Sequence, residues 1–212
     1  MISTKNLSCM PDVPGLQKLC RSIAALELIM AEEFYLRYYS YNLNWSENEE
    51  VFEMNDGRGR NMLILFRPDG CVVSGIDGEF YDFEKNYPKI ENLTNGLPDI
   101  FHEFMYEEPV KSLKSTFCIW SVDGITWQKS DVVDFDSEDG SEEMLSILDG
   151  NPMSYVDFCE WYYEKEVPID IVEDIYNGKE ITLNMIRRLN SDREDIGNIR
   201  AELCEMRYPN TL

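Results

Sequence analysis

Near the start of the chain, apolar side chains recur at Leu16, Leu19, Ile23, Leu26, Met30 and Phe34. Steps of three and four put these residues on one stripe of a helix. Pro11 and Pro14 precede the stripe, and Asn42, Asn44 and Ser46 follow it, so the spacing predicts a long amphipathic helix over 14–39.

The pattern then shortens to that of strands. Val51-Phe52-Glu53-Met54 leads into the turn-rich run Asn55-Asp56-Gly57-Arg58-Gly59-Arg60. An apolar run over 61–67 follows, with a tight turn at Pro68-Asp69-Gly70 and a return through Cys71-Val72-Val73. The same device recurs as an apolar run over 116–122, Asp123-Gly124, and a return over 125–128. Two hairpins with Asp-Gly turns predict one antiparallel sheet. Between them, 97–105 reads as a short helix with Pro98 near its start, bounded by Gly96 and Pro109.

From Gly140 the periodicity is helical. Ser141 is placed to cap a helix through Leu148, and Asn151-Pro152 opens another through about Glu166. Pro168 starts a third, closed at Gly178. Helices over 182–189 and 191–206 complete the layer, the last with Ser191 and Glu194 spaced as a capping box. The expected architecture is α+β in a single domain, 1–212: a helix over 14–39, a sheet region over 50–130 and a helical layer over 140–207.

Charge narrows the function. The 212 residues hold 19 Lys+Arg against 41 Asp+Glu, a net charge of −22. Such a chain repels phosphate backbones and anionic membrane surfaces, so neither nucleic acid nor membrane is expected as a partner. Hydrophobic residues at 43% and aromatics at 12% are too many for a disordered acidic chain. Residues 1–10 carry one lysine and no apolar run of signal-peptide length, and the apolar stretch 23–31 is broken by Glu27 and too short to span a bilayer. Cys9, Cys20, Cys71, Cys118, Cys159 and Cys204 form neither a C-x-x-C pair nor a dense framework, and several have apolar neighbours. Reduced, buried thiols in a cytoplasm are the expectation.

Candidate chemistry is sparse. The single histidine, His102, has no nucleophile elbow beside it, and with dispersed cysteines it excludes the usual zinc spacings. The run Asp134-Phe135-Asp136-Ser137-Glu138-Asp139-Gly140 begins like a calcium loop, with oxygen ligands at alternate positions. It then breaks where Asp139 replaces the glycine of the sharp turn and Leu145 the bidentate glutamate. Asp134, Asp136 and Glu138 are the candidate ligands for Mg²⁺ or Ca²⁺; otherwise no cofactor is expected. Arg58 and Arg60 are isolated cations in an acidic chain, suited to a hairpin loop or to a specific ion pair or anion contact. No catalytic residue can be nominated among so many carboxylates.

The acidity is concentrated. Between 130 and 164 there is no Lys or Arg, while 11 acids, half the net charge, fall in this stretch. At 100° per residue, Tyr155, Phe158, Cys159 and Tyr162 share the core-facing stripe of the helix after Pro152, and Asp157, Glu160, Trp161 and Glu164 share the opposite face. A tryptophan among carboxylates suits an interface anchor that can stack on an incoming Arg or Lys, unless another element covers it. A second aromatic cluster, 34–41 with Trp45, suits either packing against the sheet or recognition; Trp120 and Trp127 suit cross-strand packing.

The run Ile64-Leu65-Phe66-Arg67-Pro68-Asp69-Gly70, with Thr116-Phe117-Cys118-Ile119-Trp120 and Leu148-Asp149-Gly150-Asn151-Pro152, resembles a group of uncharacterised acidic bacterial proteins, a resemblance that brings no catalytic residues with it. In size and charge the chain is also similar to the immunity proteins of bacterial toxin systems. The leading expectation is a non-enzymatic binding protein that docks a basic protein through Glu138, Asp139, Asp157, Glu160, Trp161 and Glu164. The alternatives are an enzyme working through carboxylates or a divalent metal, and a homo-oligomeric structural protein.

Overall fold

Asp12 starts the first helix. Its side chain accepts a hydrogen bond from the Gly15 N–H at 2.8 Å, and Pro14 sits in the first turn, where no N–H is required. Helix α1 runs over Val13–Met30 in the computed structural model, which describes residues 1–78, 88–133 and 139–212. It therefore stops well short of Tyr39, where the spacing placed its end. The terminating donors come from far along the chain: Asn190 Nδ2 donates to the carbonyls of Ile29 and Met30, and Arg193 Nη2 to that of Leu28. These contacts satisfy carbonyls that a helix end leaves without partners. A 3-10 turn, Phe34–Leu36, follows, and from Tyr39 the chain is extended.

The sheet is α+β in its setting and antiparallel throughout, with six strands among the described residues in chain order: β1 (Tyr39–Ser46), β2 (Glu49–Asn55), β3 (Arg60–Arg67), β4 (Gly70–Asp77), β5 (Phe117–Ser121) and β6 (Gln128–Lys129). Both Asp-Gly turns stand where the sequence put them, and Gly124 at φ +76 shows why the second needs glycine. Tyr41, Phe52, Ile64, Val73 and Ile119 lie opposite one another across five strands, one row of the face that packs on α1. The other face is covered between β4 and β5 by α2 (Ile90–Leu93), a 3-10 turn, α3 (His102–Tyr106) and α4 (Val110–Leu113), which bring Met105 against Cys118.

The C-terminal layer comprises α5 (Ser141–Met144), α6 (Pro152–Tyr162), α7 (Ile169–Tyr176), α8 (Leu183–Leu189) and α9 (Ile196–Glu205). Asn151 caps α6 through its side chain, as its position predicts, and Thr182, expected as the first residue of a helix, caps α8; Ser141 instead lies inside α5, after Gly140. The capping box at Ser191 does not form: α9 begins after Asp195, because Asn190 and Arg193 in the intervening turn are drawn onto the end of α1. Helix α1 thus lies between the sheet and the C-terminal helices, and every residue from Ser22 to Met30 is buried. A helix buried on all sides needs apolar residues all round, and the stretch 23–31 supplies them. Cys20, Cys71, Cys118 and Cys159 are buried free thiols as expected, whereas Cys9 and Cys204 are exposed. No helix among the described residues is long and apolar enough to cross a membrane.

Candidate protein-binding surface

Helix α6 has the faces its spacing predicts. Tyr155 and Cys159 are buried, Phe158 and Tyr162 are half-buried, and Asp157, Glu160 and Trp161 point outward. No described element covers Trp161, which is 62% exposed. Glu164 is exposed but lies beyond the helix: α6 ends at Tyr162 rather than near Glu166, and Glu164 turns the chain at φ +53.

The 3-10 turn is fastened to α6 through Tyr38 and Tyr162. Phe34 is 64% exposed, Tyr35 78% and Leu36 48%, three consecutive large apolar side chains facing solvent. Arg37 fixes the turn from beneath. Its Nε donates to the Ala31 carbonyl at 3.2 Å and its Nη2 to the Glu32 carbonyl at 3.1 Å and Glu202 Oε1 at 3.0 Å, while Nη1 reaches Glu202 Oε2. The guanidinium carbon lies 5.7 Å from the centre of the Phe34 ring. A planar fork suits this multiple donation, and it uses up the cation locally.

Tyr38 joins the turn to α6. It is buried, and its ring meets Phe158 at 5.1 Å, Tyr162 at 5.0 Å and Trp161 at 6.2 Å, all edge-on. The Tyr162 hydroxyl donates to the Leu36 carbonyl at 3.3 Å. Phe34, Tyr35, Tyr38 and Tyr162 share a cleft of about 280 Å³ with Asp56. The two aromatic clusters separated by more than a hundred positions in sequence are therefore one surface. Glu32, Glu33, Asp157 and Glu160 are exposed beside its members. Edge-on contacts between rings add to the area they bury, so the buried part of the cluster holds the exposed part in place.

A fully buried carboxylate anchors this arrangement. Glu27 of α1 accepts from the Tyr38 N–H at 2.8 Å, the Tyr39 N–H at 3.3 Å, the Tyr155 hydroxyl at 2.8 Å and the Tyr163 hydroxyl at 2.9 Å. It ties the start of β1 and both ends of α6 to α1. Burial raises its pKa to about 7, and the four donated hydrogen bonds pull the other way. In the sequence Glu27 was legible only as an acid interrupting an apolar run. That signal was sufficient to mark it, because an acid in such a run must find partners.

The remaining sequence candidates separate. Asp139 is buried, not surface-facing: Thr4 Oγ1, Ser141 N–H and Ser141 Oγ all donate to it, so it fastens the N-terminal segment to the start of α5. Asp134, Asp136 and Glu138 lie outside the described residues. Among the described residues, no group of three or more His, Cys, Asp or Glu is placed to hold a metal ion. His102 is a surface residue whose Nδ1 stands 3.8 Å from Asp99. Of the two loop arginines, Arg60 is buried in an ion pair, with Nε 3.1 Å from Asp77 Oδ2 and Nη1 2.6 Å from Glu143 Oε1. Trp120 Nε1 donates across the strands to Gln128, as the hairpin pattern predicts.

Comparison with known proteins finds no matching family model, no matching curated protein and no matching solved structure.

Proposed function

We propose that this chain is a non-enzymatic binding protein whose exposed aromatic surface docks a basic protein partner, with an immunity or inhibitor role as its most concrete form. The observation that carries the reading is the joint exposure of Phe34, Tyr35, Leu36 and Trp161 on rigidly backed supports. Grouped exposed apolar side chains of this size mark interaction sites, and aromatic anchors dominate binding energy where they occur. The carboxylates around them select the partner's sign and speed its approach.

The sequence located the acidic half of this surface on α6; the aromatic half comes from the 3-10 turn. Asp157, Glu160 and Trp161 remain its members, Glu164 stands just beyond α6, and Asp139 belongs to the interior. The test is capture from native lysate by immobilised wild-type chain and by the double variant Trp161→Ala, Glu160→Lys, with captured proteins identified by mass. The reading expects one or more basic proteins retained by the wild type and lost with the folded double variant. Retention of the same proteins by both would refute it.

A further inference from the structure

We infer that the outer edge of β1 receives an extended basic segment of the partner as an added strand. The inference rests on the docking reading of the aromatic surface and says how the partner continues from it. Among the described residues, strand β1 ends the sheet and pairs on one side only, with β2. Tyr38 and Asn55 stand opposite each other and are joined by a hydrogen bond from the Asn55 N–H to the Tyr38 carbonyl. Hydrogen-bonded and non-bonded pairs alternate along an antiparallel ladder, so the main-chain groups of Tyr39 and Tyr41 point away from β2. Glu27 takes the Tyr39 N–H, which leaves the edge beginning at the Tyr39 carbonyl and Tyr41.

The composition of this edge is unusual. Exposed edges are normally guarded by Lys, Pro or other charges that discourage pairing. The eight residues of β1, Tyr-Ser-Tyr-Asn-Leu-Asn-Trp-Ser, contain no charged residue and no proline, in a chain that is 28% charged. The one guarding feature is a register shift between Asn42 and Ser46, which limits regular pairing to the first half of the strand.

A groove of about 420 Å³ follows this edge. Its lining takes every residue from 39 to 45, from both faces of the strand, so it lies along the edge and not over one face. The facing wall is Glu202, Glu205 and Met206, with Phe34 and Arg37 at one end, so the groove is continuous with the aromatic surface. Its charges are Glu53, Glu202 and Glu205 against Arg37, and Arg37 is already bound by Glu202. The excess is negative. Main-chain hydrogen bonds would supply affinity and alternate Lys or Arg side chains would supply selectivity, the division of labour found in strand addition. A second copy of this chain is a poor occupant, because its own β1 brings no cation to meet Glu53 and Glu205.

The test titrates the ¹⁵N-labelled full chain with a short synthetic peptide alternating lysine with valine, at low salt. The same peptide N-methylated at alternate positions serves as comparison. Expected are shifts along 39–43 with slowed hydrogen exchange at Tyr41 and Leu43, an affinity at least about tenfold lower for the N-methylated peptide, and a loss of severalfold in Glu205→Lys. Equal affinity for both peptides, no shifts along 39–45, or a concentration-dependent dimer that protects β1 without peptide would each overturn the inference. Peptide shifts confined to Phe34, Tyr35, Leu36 and Trp161 would overturn strand addition and leave the aromatic docking surface standing. If strand shifts persist in Trp161→Ala while lysate capture is unchanged by that substitution, the surface reading fails and the edge site holds.

Discussion

The Tyr163 hydroxyl donates a hydrogen bond to the Glu27 carboxylate at 2.9 Å, joining the end of α6 to the last turn of α1 across 136 positions of sequence. With three further donors from Tyr38, Tyr39 and Tyr155, this carboxylate is the point at which the first helix, the edge strand and the helix bearing Trp161 meet.

Glu27 makes stability depend on pH in a definite direction. Its ordinary pKa of 4.5 is raised to about 7 in the folded chain, first by burial. The native state therefore keeps a proton that the unfolded chain gives up. The associated stabilisation, about 3 kcal/mol, is complete below about pH 4.5, declines as the pH rises, and is gone above about pH 7. Urea unfolding of wild type and Glu27→Gln across this window checks it. The difference between the two curves is expected to slope through the window and flatten on either side; parallel curves would contradict the assignment.

Tyr155→Phe removes one donor from the same carboxylate without changing the shape of a fully buried side chain. The loss is expected to cost about 1–3 kcal/mol near neutral pH. Because that donor pulls the pKa of Glu27 down, its removal is also expected to move the pH-dependent window upward. Both effects are read from denaturant midpoints measured as a function of pH.

The ion pairs are unequal. Arg60 and Asp77 are both buried and bonded at 3.1 Å, so Arg60→Ala takes the paired cation away from a carboxylate that is 1% exposed. About 3–5 kcal/mol should be lost. Arg67 bonds Asp69 and Glu49 at the surface, and Arg67→Ala should cost under about 1 kcal/mol. Chemical denaturation of the two variants gives the comparison directly.

Gly140 adopts φ +78, and a Cβ there would lie 2.4 Å from the Cβ of Asp77. Gly150 has a similar φ of +72, but nothing lies within 4 Å of its added Cβ. Gly150→Ala is expected to cost about 1 kcal/mol, from backbone conformation alone, and Gly140→Ala clearly more. A smaller effect at Gly140 would mean that α5 can move away from β4 freely. Thermal unfolding of the pair separates conformational strain from collision.

How far these features can be read from sequence depends on the range of the interactions that create them. The Asp-Gly turns and the cap at Asn151 are local, and each stands where the residues put it, although the second hairpin returns only at Gln128–Lys129 and not over 125–128. The end of α1 is not local: Asn190 and Arg193 meet it from the far end of the chain, so the expected helix stops at Met30 and the chain is already extended as β1 from Tyr39. The same contacts explain why Ser191 is no cap. For the surface, helical spacing correctly turned Trp161 outward, since it needs only the geometry of α6. It could not show that the turn 34–36 is fastened to the same helix, because Tyr38 and Tyr162 make that junction through tertiary contacts. Nor could charge density distinguish Asp139, whose side chain is consumed by Thr4 and Ser141, from the exposed acids near it.

The docking surface is tested most directly at Trp161 itself. Quenching of its fluorescence by neutral acrylamide, taken as the difference between wild type and Trp161→Phe, measures its access to solvent with and without the purified basic partner. In the free chain, a residue 62% exposed should quench strongly. Shielding of Trp161 in the complex, at a saturating partner concentration, is the predicted result. Trp161 that quenches equally with the partner bound would contradict the account.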